Sequence, residues 1–214
     1  GIISPKKNNI TDPKALEGKK YGTWNDPVEL AMIKSLVEKQ GGDYNKIELV
    51  PNSDSNSITP LENGVFDAAW IYYAWDGKLA ESMNLETNFF YLRDFDKKLD
   101  YYSPVIIANN DYLKNNKEEA QKVLRAIKKG YVYAIEHPEE AADILIKNAP
   151  ELKEKRDFVV ASQKYISQQY ASNKEHWGEF DAERWNAFYR WVNENKIIEK
   201  PLADNTGFSN DYIK

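Results

Sequence analysis

Residues 19–29 have the sequence KKYGTWNDPVE, and this stretch decides the fold. A short strand is predicted through residues 20–24, and a helix is predicted to begin at Pro27, which suits a first helical turn. Asp26 is a suitable N-cap residue for that helix. In an open α/β sheet, the carboxyl end of such a strand and the amino end of its helix face the ligand crevice. The sequence therefore predicts a ligand site at this junction.

Two side chains at the junction are candidate ligand contacts. Trp24 has two interpretations, because its ring either stacks on a planar ligand at the mouth of the crevice or packs beneath the helix. Glu29 also has two. Its carboxylate either accepts hydrogen bonds from an amine of the ligand, or closes a capping box with Asp26.

Working outward from this stretch, strands and helices alternate up to about residue 108, and only helices follow. This order is typical of an α/β protein. An extended leading segment is predicted for residues 1–9. Further strands are predicted at 46–51, 65–75, 88–92 and 101–108, and helices at 78–83, 117–136, 139–147, 154–170 and 181–195.

The predicted strand at residues 65–75, VFDAAWIYYAW, is rich in aromatic side chains. Side chains just past the carboxyl end of a strand face the crevice most often. We therefore expect Tyr72, Tyr73 and Trp75 to contact ligand and Trp70 to lie in the core.

A second candidate group precedes the predicted strand at 101–108, on the hinge side of the site. It consists of Asp100, Tyr101 and Tyr102. A tyrosine at this place either contacts the ligand or packs at the hinge, and the sequence leaves both interpretations open.

The composition excludes several classes of function. The net charge of −5 and the absence of a basic stripe argue against nucleic acid as a partner. The chain has no cysteine, so disulfides, thiolate catalysis and cysteine–metal sites are excluded. His137 and His176 stand without further ligands at metal-binding spacing, and both are interpreted as structural. We expect no catalytic residues, no metal and no cofactor.

Five stretches together carry a resemblance to a known family: ALEGKKYG at 15–22, WNDPVE at 24–29, DAAWIYYAW at 67–75, LDYYSPV at 99–105 and GYVYAIEHPEEAA at 130–142. They resemble the NMT1/THI5-like substrate-binding proteins of ABC importers and, within that family, the thiamine-precursor (pyrimidine) binding proteins. The last stretch marks a wider superfamily that includes sulfonate, nitrate and flavin binders.

The resemblance implies a periplasmic-binding-protein fold of type II. Residues 10–104 would form a complete α/β lobe two, and residues 105–214 the mainly helical C-terminal part of lobe one, with 1–9 as a hinge segment. Family members carry a further N-terminal region that nothing here matches. We therefore expect a fragment or a chain completed by a partner, and, for a fragment, self-association through an apolar face of the lobe-one helices.

The function implied by the resemblance is capture of a thiamine-precursor pyrimidine, of the hydroxymethylpyrimidine or formylaminopyrimidine type, for delivery to an ABC permease. A lipoprotein on the extracellular face of the membrane or a periplasmic protein is expected. Thiamine and riboflavin-like rings stay open as ligands. A THI5-like pyrimidine-synthesising enzyme is the alternative, weakened because its cysteine-rich motif is absent. A carbohydrate- or protein-interaction module is a third possibility.

Overall fold

The computed structural model describes residues 1–52 and 56–213, which form two compact units. The first unit comprises Gly1–Asp100 with Ala187–Leu202, and the second comprises Tyr101–Asn186 with the residues from Ala203 onward. The boundary at residues 100–101 lies close to the predicted one, whereas Ala187–Leu202 groups with the first unit. The assignment of the two parts of the chain to lobes two and one stays a prediction.

A five-stranded mixed sheet forms the centre of the first unit, in the order β3-β2-β4-β1-β5. Its strands are β1 Ile2–Pro5, β2 Lys20–Thr23, β3 Glu48–Pro51, β4 Ala68–Trp70 and β5 Thr87–Phe90. β2 pairs in parallel with β3 and β4, while β1 pairs antiparallel with β4 and β5. The leading segment is thus more than an extended stretch, because its four residues in β1 are all buried inside the sheet.

The helix predicted at Pro27 is confirmed as α1, Pro27–Lys39. The Asp26 side chain accepts hydrogen bonds from the backbone N–H groups of Val28 and Glu29, which would otherwise have no partner in the first turn. The apolar positions with helical spacing are buried on one face of the helix: Met32, Ile33, Leu36 and Val37. The capping residue therefore marks where the helix begins, and the spacing of the apolar residues marks which face is buried.

The strand predicted at 65–75 is shorter than expected, because β4 ends at Trp70. A π-helical turn, Tyr73–Gly77, follows and leads directly into α3, Lys78–Ser82. Asp76 stabilises this turn, since its Oδ2 accepts a hydrogen bond from the Tyr72 backbone N–H at 3.3 Å. The Tyr72 N–H group, which would pair with a neighbouring strand if β4 continued, is thus bonded to the side chain of Asp76.

An apolar core lies beneath β1 and β4. Its fully buried members are Ile3, Ile58, Leu61, Phe66, Ala69, Ile71 and Ala80. Two of them, Ile58 and Leu61, come from the short helix α2, Ile58–Glu62. Each Å² of apolar surface that is buried on folding contributes about 25 cal/mol, so this core is the main stabilising contribution to the unit.

Gly22, in the middle of β2, is held by close packing. A Cβ atom at this position would lie 2.9 Å from the Phe66 ring, and Phe66 is 1% exposed. We expect Gly22→Ala to lower the free energy of unfolding by about 1–3 kcal/mol, the usual cost of overpacking. Urea unfolding measures this change. Gly130→Ala, where a Cβ would meet nothing within 4 Å on a helix, is the control and should raise stability by about 0.5–1 kcal/mol; destabilisation of similar size in both variants would contradict the packing argument.

The second unit is helical, as the sequence predicts. Its helices are α4 Asn110–Asn115, α5 Lys117–Glu136, α6 Pro138–Asn148, α7 Arg156–Ser167 and the start of α8, Ala182–Glu194. The strand predicted at 101–108 is wrong, because these residues form no strand in the structure. No helix within the described residues has the length and apolar character needed to span a membrane.

Candidate functional site

The candidate site lies at one edge of the sheet in the first unit. β2 and β4 are parallel neighbours, so the residues that follow them emerge at the same edge. Trp24 follows β2 directly, and Tyr72 comes two residues after the end of β4. The topology therefore brings together two of the predicted site residues that are 48 positions apart in the sequence.

Three aromatic rings meet at this edge. The rings of Trp24 and Tyr72 are nearly parallel, with an interplanar angle of 15° and ring centroids 6.4 Å apart. Trp70 lies behind them, with its centroid 6.2 Å from that of Trp24 and a tilt of 44°. Trp24 is 44% exposed and Tyr72 62%, while Trp70 is 9% exposed. The structure thus places Trp70 in the core, as predicted, and leaves two ring faces open to solvent.

Glu29 is buried beneath Trp24, with 4% exposure. Its Oε1 accepts a hydrogen bond from the Tyr21 hydroxyl at 2.8 Å. Its Oε2 accepts from the Thr23 hydroxyl at 2.9 Å and from the Trp24 backbone N–H at 3.1 Å. Glu29 therefore accepts from the backbone N–H of the residue two positions before the N-cap Asp26, whereas a capping box would use the N–H of Asp26 itself, and it ties the end of β2 to α1.

The contact with Glu29 also governs the protonation of Tyr21. Burial and the neighbouring Glu29 carboxylate raise the pKa of the Tyr21 hydroxyl well above its ordinary value. Tyr21 consequently stays a hydrogen-bond donor to Glu29 at any ordinary pH. The pair forms a fixed support under the Trp24 backbone.

Asp76 is a further candidate at this edge of the sheet, and it is not among the residues predicted from the sequence. Its carboxylate lies beside the Tyr72 backbone N–H, at the start of the π-helical turn, and burial raises its pKa above the ordinary value. No lysine or arginine side chain lies within ion-pair distance of it among residues 1–52 and 56–213. The signal available in the sequence is the Asp-Gly pair at residues 76–77, directly after the aromatic run.

The other predicted residues of the aromatic run are placed differently. The Tyr73 ring packs against Phe89, with centroids 4.5 Å apart, and its hydroxyl donates to Glu81 at 2.8 Å. Burial and this hydrogen bond raise the pKa of Tyr73 to about 12. Tyr73 therefore helps to hold α3 against the sheet. Trp75 lies in the π-helical turn and is 40% exposed.

The predicted hinge-side group falls at the boundary between the two units. Asp100 ends the first unit, where its carboxylate lies 3.5 Å from the Arg93 guanidinium. Tyr101 and Tyr102 begin the second unit. The Tyr102 hydroxyl accepts a hydrogen bond from the Asp181 backbone N–H at 2.8 Å, and its ring meets Phe180 edge-on. In this structure Tyr102 thus packs within the second unit.

The described residues contain no group of three or more His, Asp or Glu side chains that could hold a metal ion. His137 and His176 each lie near a single glutamate, three residues further along the chain. At the sheet edge, the exposed rings of Trp24 and Tyr72 offer faces for stacking, and the Asp76 carboxylate offers a hydrogen-bond acceptor.

Comparison with solved structures shows the fold of the chain. It has the type II periplasmic-binding-protein fold, as predicted, and solved structures support this. The alkanesulfonate-binding protein SsuA from Xanthomonas axonopodis pv. citri matches with a TM-score of 0.63 and 12% identity, over 94% of this chain and 66% of that one. The desulfurization enzyme DSZB matches with a TM-score of 0.60 and 12% identity, over 95% of this chain and 71% of that one. At these identities the likeness is one of fold.

The chain belongs to the NMT1/THI5-like family, whose pattern matches residues 1–141. Among curated proteins, it is similar to the formylaminopyrimidine-binding protein of Halalkalibacterium halodurans (strain ATCC BAA-125 / DSM 18197 / FERM 7344 / JCM 9153 / C-125), with 22% identity over 205 residues. That match covers 95% of this chain and 62% of the relative. The chain thus spans less than two thirds of the length of the curated relative.

Proposed function

We propose that this chain serves in solute capture and binds a planar, amino-substituted pyrimidine at the sheet edge formed by Trp24, Tyr72 and Asp76. Family membership supports this proposal, as does the similarity to a protein named for binding formylaminopyrimidine. A ligand of the formylaminopyrimidine or hydroxymethylpyrimidine type combines a flat ring with amine donors. Those two properties match the two kinds of chemistry present at the site.

The observation that carries the proposal is the nearly parallel pair of exposed rings. Favourable contact distances between carbon atoms are about 3.5–4.0 Å, so two rings that hold a planar ligand between them stand about 7 Å apart or slightly more. The centroids of Trp24 and Tyr72 are 6.4 Å apart at an angle of 15°. A small outward movement of Tyr72, which is 62% exposed, would admit a ring between them.

Asp76 supplies the polar recognition in this proposal. It has no cationic partner among the described residues, whereas both oxygens of Glu29 accept hydrogen bonds from the protein itself. An amine of the ligand would therefore bind to Asp76, and Glu29 would position Trp24 from below. Trp75, which lies in the same turn, would border the site. For Asp100, Tyr101 and Tyr102, contact with the ligand stays a prediction from the sequence.

The proposed partner of the loaded protein is an ABC permease in the membrane, and the proposed location is the periplasm or the outer face of the cytoplasmic membrane. Binding proteins named for sulfonate capture share the fold. Riboflavin remains an alternative ligand, because its ring would stack equally well but would offer Asp76 a different pattern of donors.

Calorimetric titration of the chain with a panel of small molecules tests the proposed function. The panel consists of formylaminopyrimidine, hydroxymethylpyrimidine, thiamine, riboflavin, an alkanesulfonate and a sugar. Saturable binding of an aminopyrimidine, with no signal from the sulfonate or the sugar, is the expected result. Binding of the sulfonate alone would assign the chain to another branch of the fold, and binding of the sugar alone would contradict the proposal altogether.

We expect Asp76→Asn to weaken aminopyrimidine binding about 10- to 100-fold, since a hydrogen bond to a charged group contributes about 1.5–3 kcal/mol. The same substitution should not lower the free energy of unfolding at neutral pH. Because the pKa of Asp76 is raised in the folded protein, the stability this group contributes is greatest at low pH and is lost as the pH rises through the folded-state pKa. At neutral pH the neutral amide should therefore leave stability unchanged or higher. Calorimetry and urea unfolding at pH 7 measure the two effects; unchanged affinity would remove Asp76 from the site.

A further inference from the structure

The two peptide groups on either side of the Trp24 Cα atom are both bonded to buried side chains. The Trp24 backbone N–H donates to Glu29 Oε2 at 3.1 Å, and the Asn25 backbone N–H donates to Thr23 Oγ1 at 2.8 Å. Thr23 is 1% exposed and Glu29 4%. Because peptide groups are planar, their orientations set the φ and ψ angles of the residue between them. These two hydrogen bonds therefore fix the direction in which the Trp24 side chain leaves the backbone.

Thr23 joins the two bonds into one closed ring of hydrogen bonds. Its Oγ1 atom accepts from the Asn25 N–H and donates its own hydrogen to Glu29 Oε2 at 2.9 Å. A hydroxyl group can do both, since it carries one donor and two acceptor lone pairs. The same Glu29 oxygen accepts from the Trp24 N–H, which completes the ring. Removal of the Thr23 hydroxyl would thus break two of its three bonds at once.

The backbone beside Trp24 needs such support, because Asn25 has a φ angle of 61°, in the left-handed region. Asparagine tolerates this region better than most residues, but only glycine adopts it without cost. A residue keeps this conformation where the surrounding structure holds it. The Thr23 hydroxyl supplies that support, since it binds the Asn25 N–H directly.

Packing of the Trp24 ring is only partial, so the order of its backbone matters for the site. The ring rests on the buried Trp70, with centroids 6.2 Å apart. Its partner on the ligand side, Tyr72, is itself 62% exposed, and Trp24 is 44% exposed. A half-exposed ring on a mobile backbone would have to be ordered when a ligand binds, and that ordering opposes association.

We propose that Thr23 is a positioning residue of the site, whose hydroxyl group holds Trp24 in the orientation that binds a planar ligand. This role rests on the proposed function for the nature of the ligand, an aminopyrimidine. With 1% exposure, Thr23 itself is out of reach of the ligand and acts through Trp24. The hydroxyl raises affinity because the ring is already ordered before the ligand arrives.

NMR relaxation of the ligand-free protein tests this role with Thr23→Val, which lacks the hydroxyl, and Thr23→Ser, which keeps it. Backbone order parameters of Trp24 and Asn25 should be about 0.85 in the wild type and in Thr23→Ser, and should fall below about 0.6 in Thr23→Val. Thr23→Ala also lacks the hydroxyl and should show the same loss of order. Thr87→Val is the control and should match the wild type, because Thr87 lies on β5, which β4 and β1 separate from β2. Circular dichroism verifies that each variant is folded.

Calorimetric titration with formylaminopyrimidine completes the test. Thr23→Val should bind about 2- to 10-fold more weakly than the wild type, and Thr23→Ser should bind like the wild type. Wild-type order of Trp24 in Thr23→Val overturns the proposal, as does unchanged affinity in that variant. A Thr23→Ser variant as mobile as Thr23→Val also overturns it, because the methyl group and not the hydroxyl would then hold Trp24. If the wild type binds no pyrimidine, the proposed function fails, and the order parameters still decide whether Thr23 positions Trp24.

Discussion

Replacing Trp24 by alanine should reduce aminopyrimidine affinity about 10- to 100-fold while leaving the fold intact. The Trp24 ring supplies one of the two exposed faces at the site, and truncating an aromatic residue that stacks on a planar ligand costs about 1–3 kcal/mol. Because the side chain is 44% exposed, its removal should have only a small effect on the free energy of unfolding. Calorimetric titration of the variant measures the loss.

Two further variants make this result specific. Tyr72→Ala should weaken binding by a similar factor, since it removes the opposite face. Tyr112→Ala removes an aromatic side chain of comparable exposure from α4 in the second unit, and it should bind like the wild type. Wild-type affinity in Trp24→Ala would contradict the proposed site, even if the chain binds a pyrimidine elsewhere.

Glu29→Ala should lower the free energy of unfolding by about 3–5 kcal/mol. The substitution leaves three buried or half-buried donors without an acceptor, namely the hydroxyls of Tyr21 and Thr23 and the backbone N–H of Trp24. Each unsatisfied donor costs about 1–3 kcal/mol, and the apolar helix face beside Glu29 would also lose packing. A shift of the urea midpoint measures this destabilisation.

Glu38→Ala on the same helix is the matched control. Glu38 is half exposed, with one long contact of 3.9 Å to Lys34, and its removal should change stability by less than about 0.5 kcal/mol. Glu29→Gln should fall between the two, because the amide keeps one acceptor and presents a donor to the others. If Glu29→Ala were as stable as the wild type and yet lost ligand affinity, Glu29 would be a direct ligand contact, as one interpretation of the sequence holds.

Local signals in the sequence were sufficient for the strand–helix junction of the site. Asp26 and Pro27 determine where α1 begins, and the apolar spacing from Met32 to Val37 determines which face is buried. The same kind of signal predicted the second-unit helices, because each carries its own period. These features depend on residues within a few positions of one another, and the structure confirms them.

Features that depend on distant residues were not predictable in this way. β1 is only four residues long, and its partners on β4 and β5 lie more than 60 positions away in the sequence. β4 ends early because the Asp76 side chain captures the Tyr72 backbone N–H, a contact that the continuous apolar run conceals. The sequence places the Glu29 carboxylate at the junction, but its donors Tyr21, Thr23 and Trp24 follow only from the positions of β2 and α1.

The measurement that tests the account most directly is the mapping of backbone amide chemical shifts by NMR during titration with formylaminopyrimidine. We expect the largest shifts at Trp24, Tyr72 and Asp76, with smaller ones along the first turn of α1. Shifts confined to the second unit, for example to the groove lined by Tyr131 and Tyr170, would contradict the assignment of the site to the edge formed by β2 and β4.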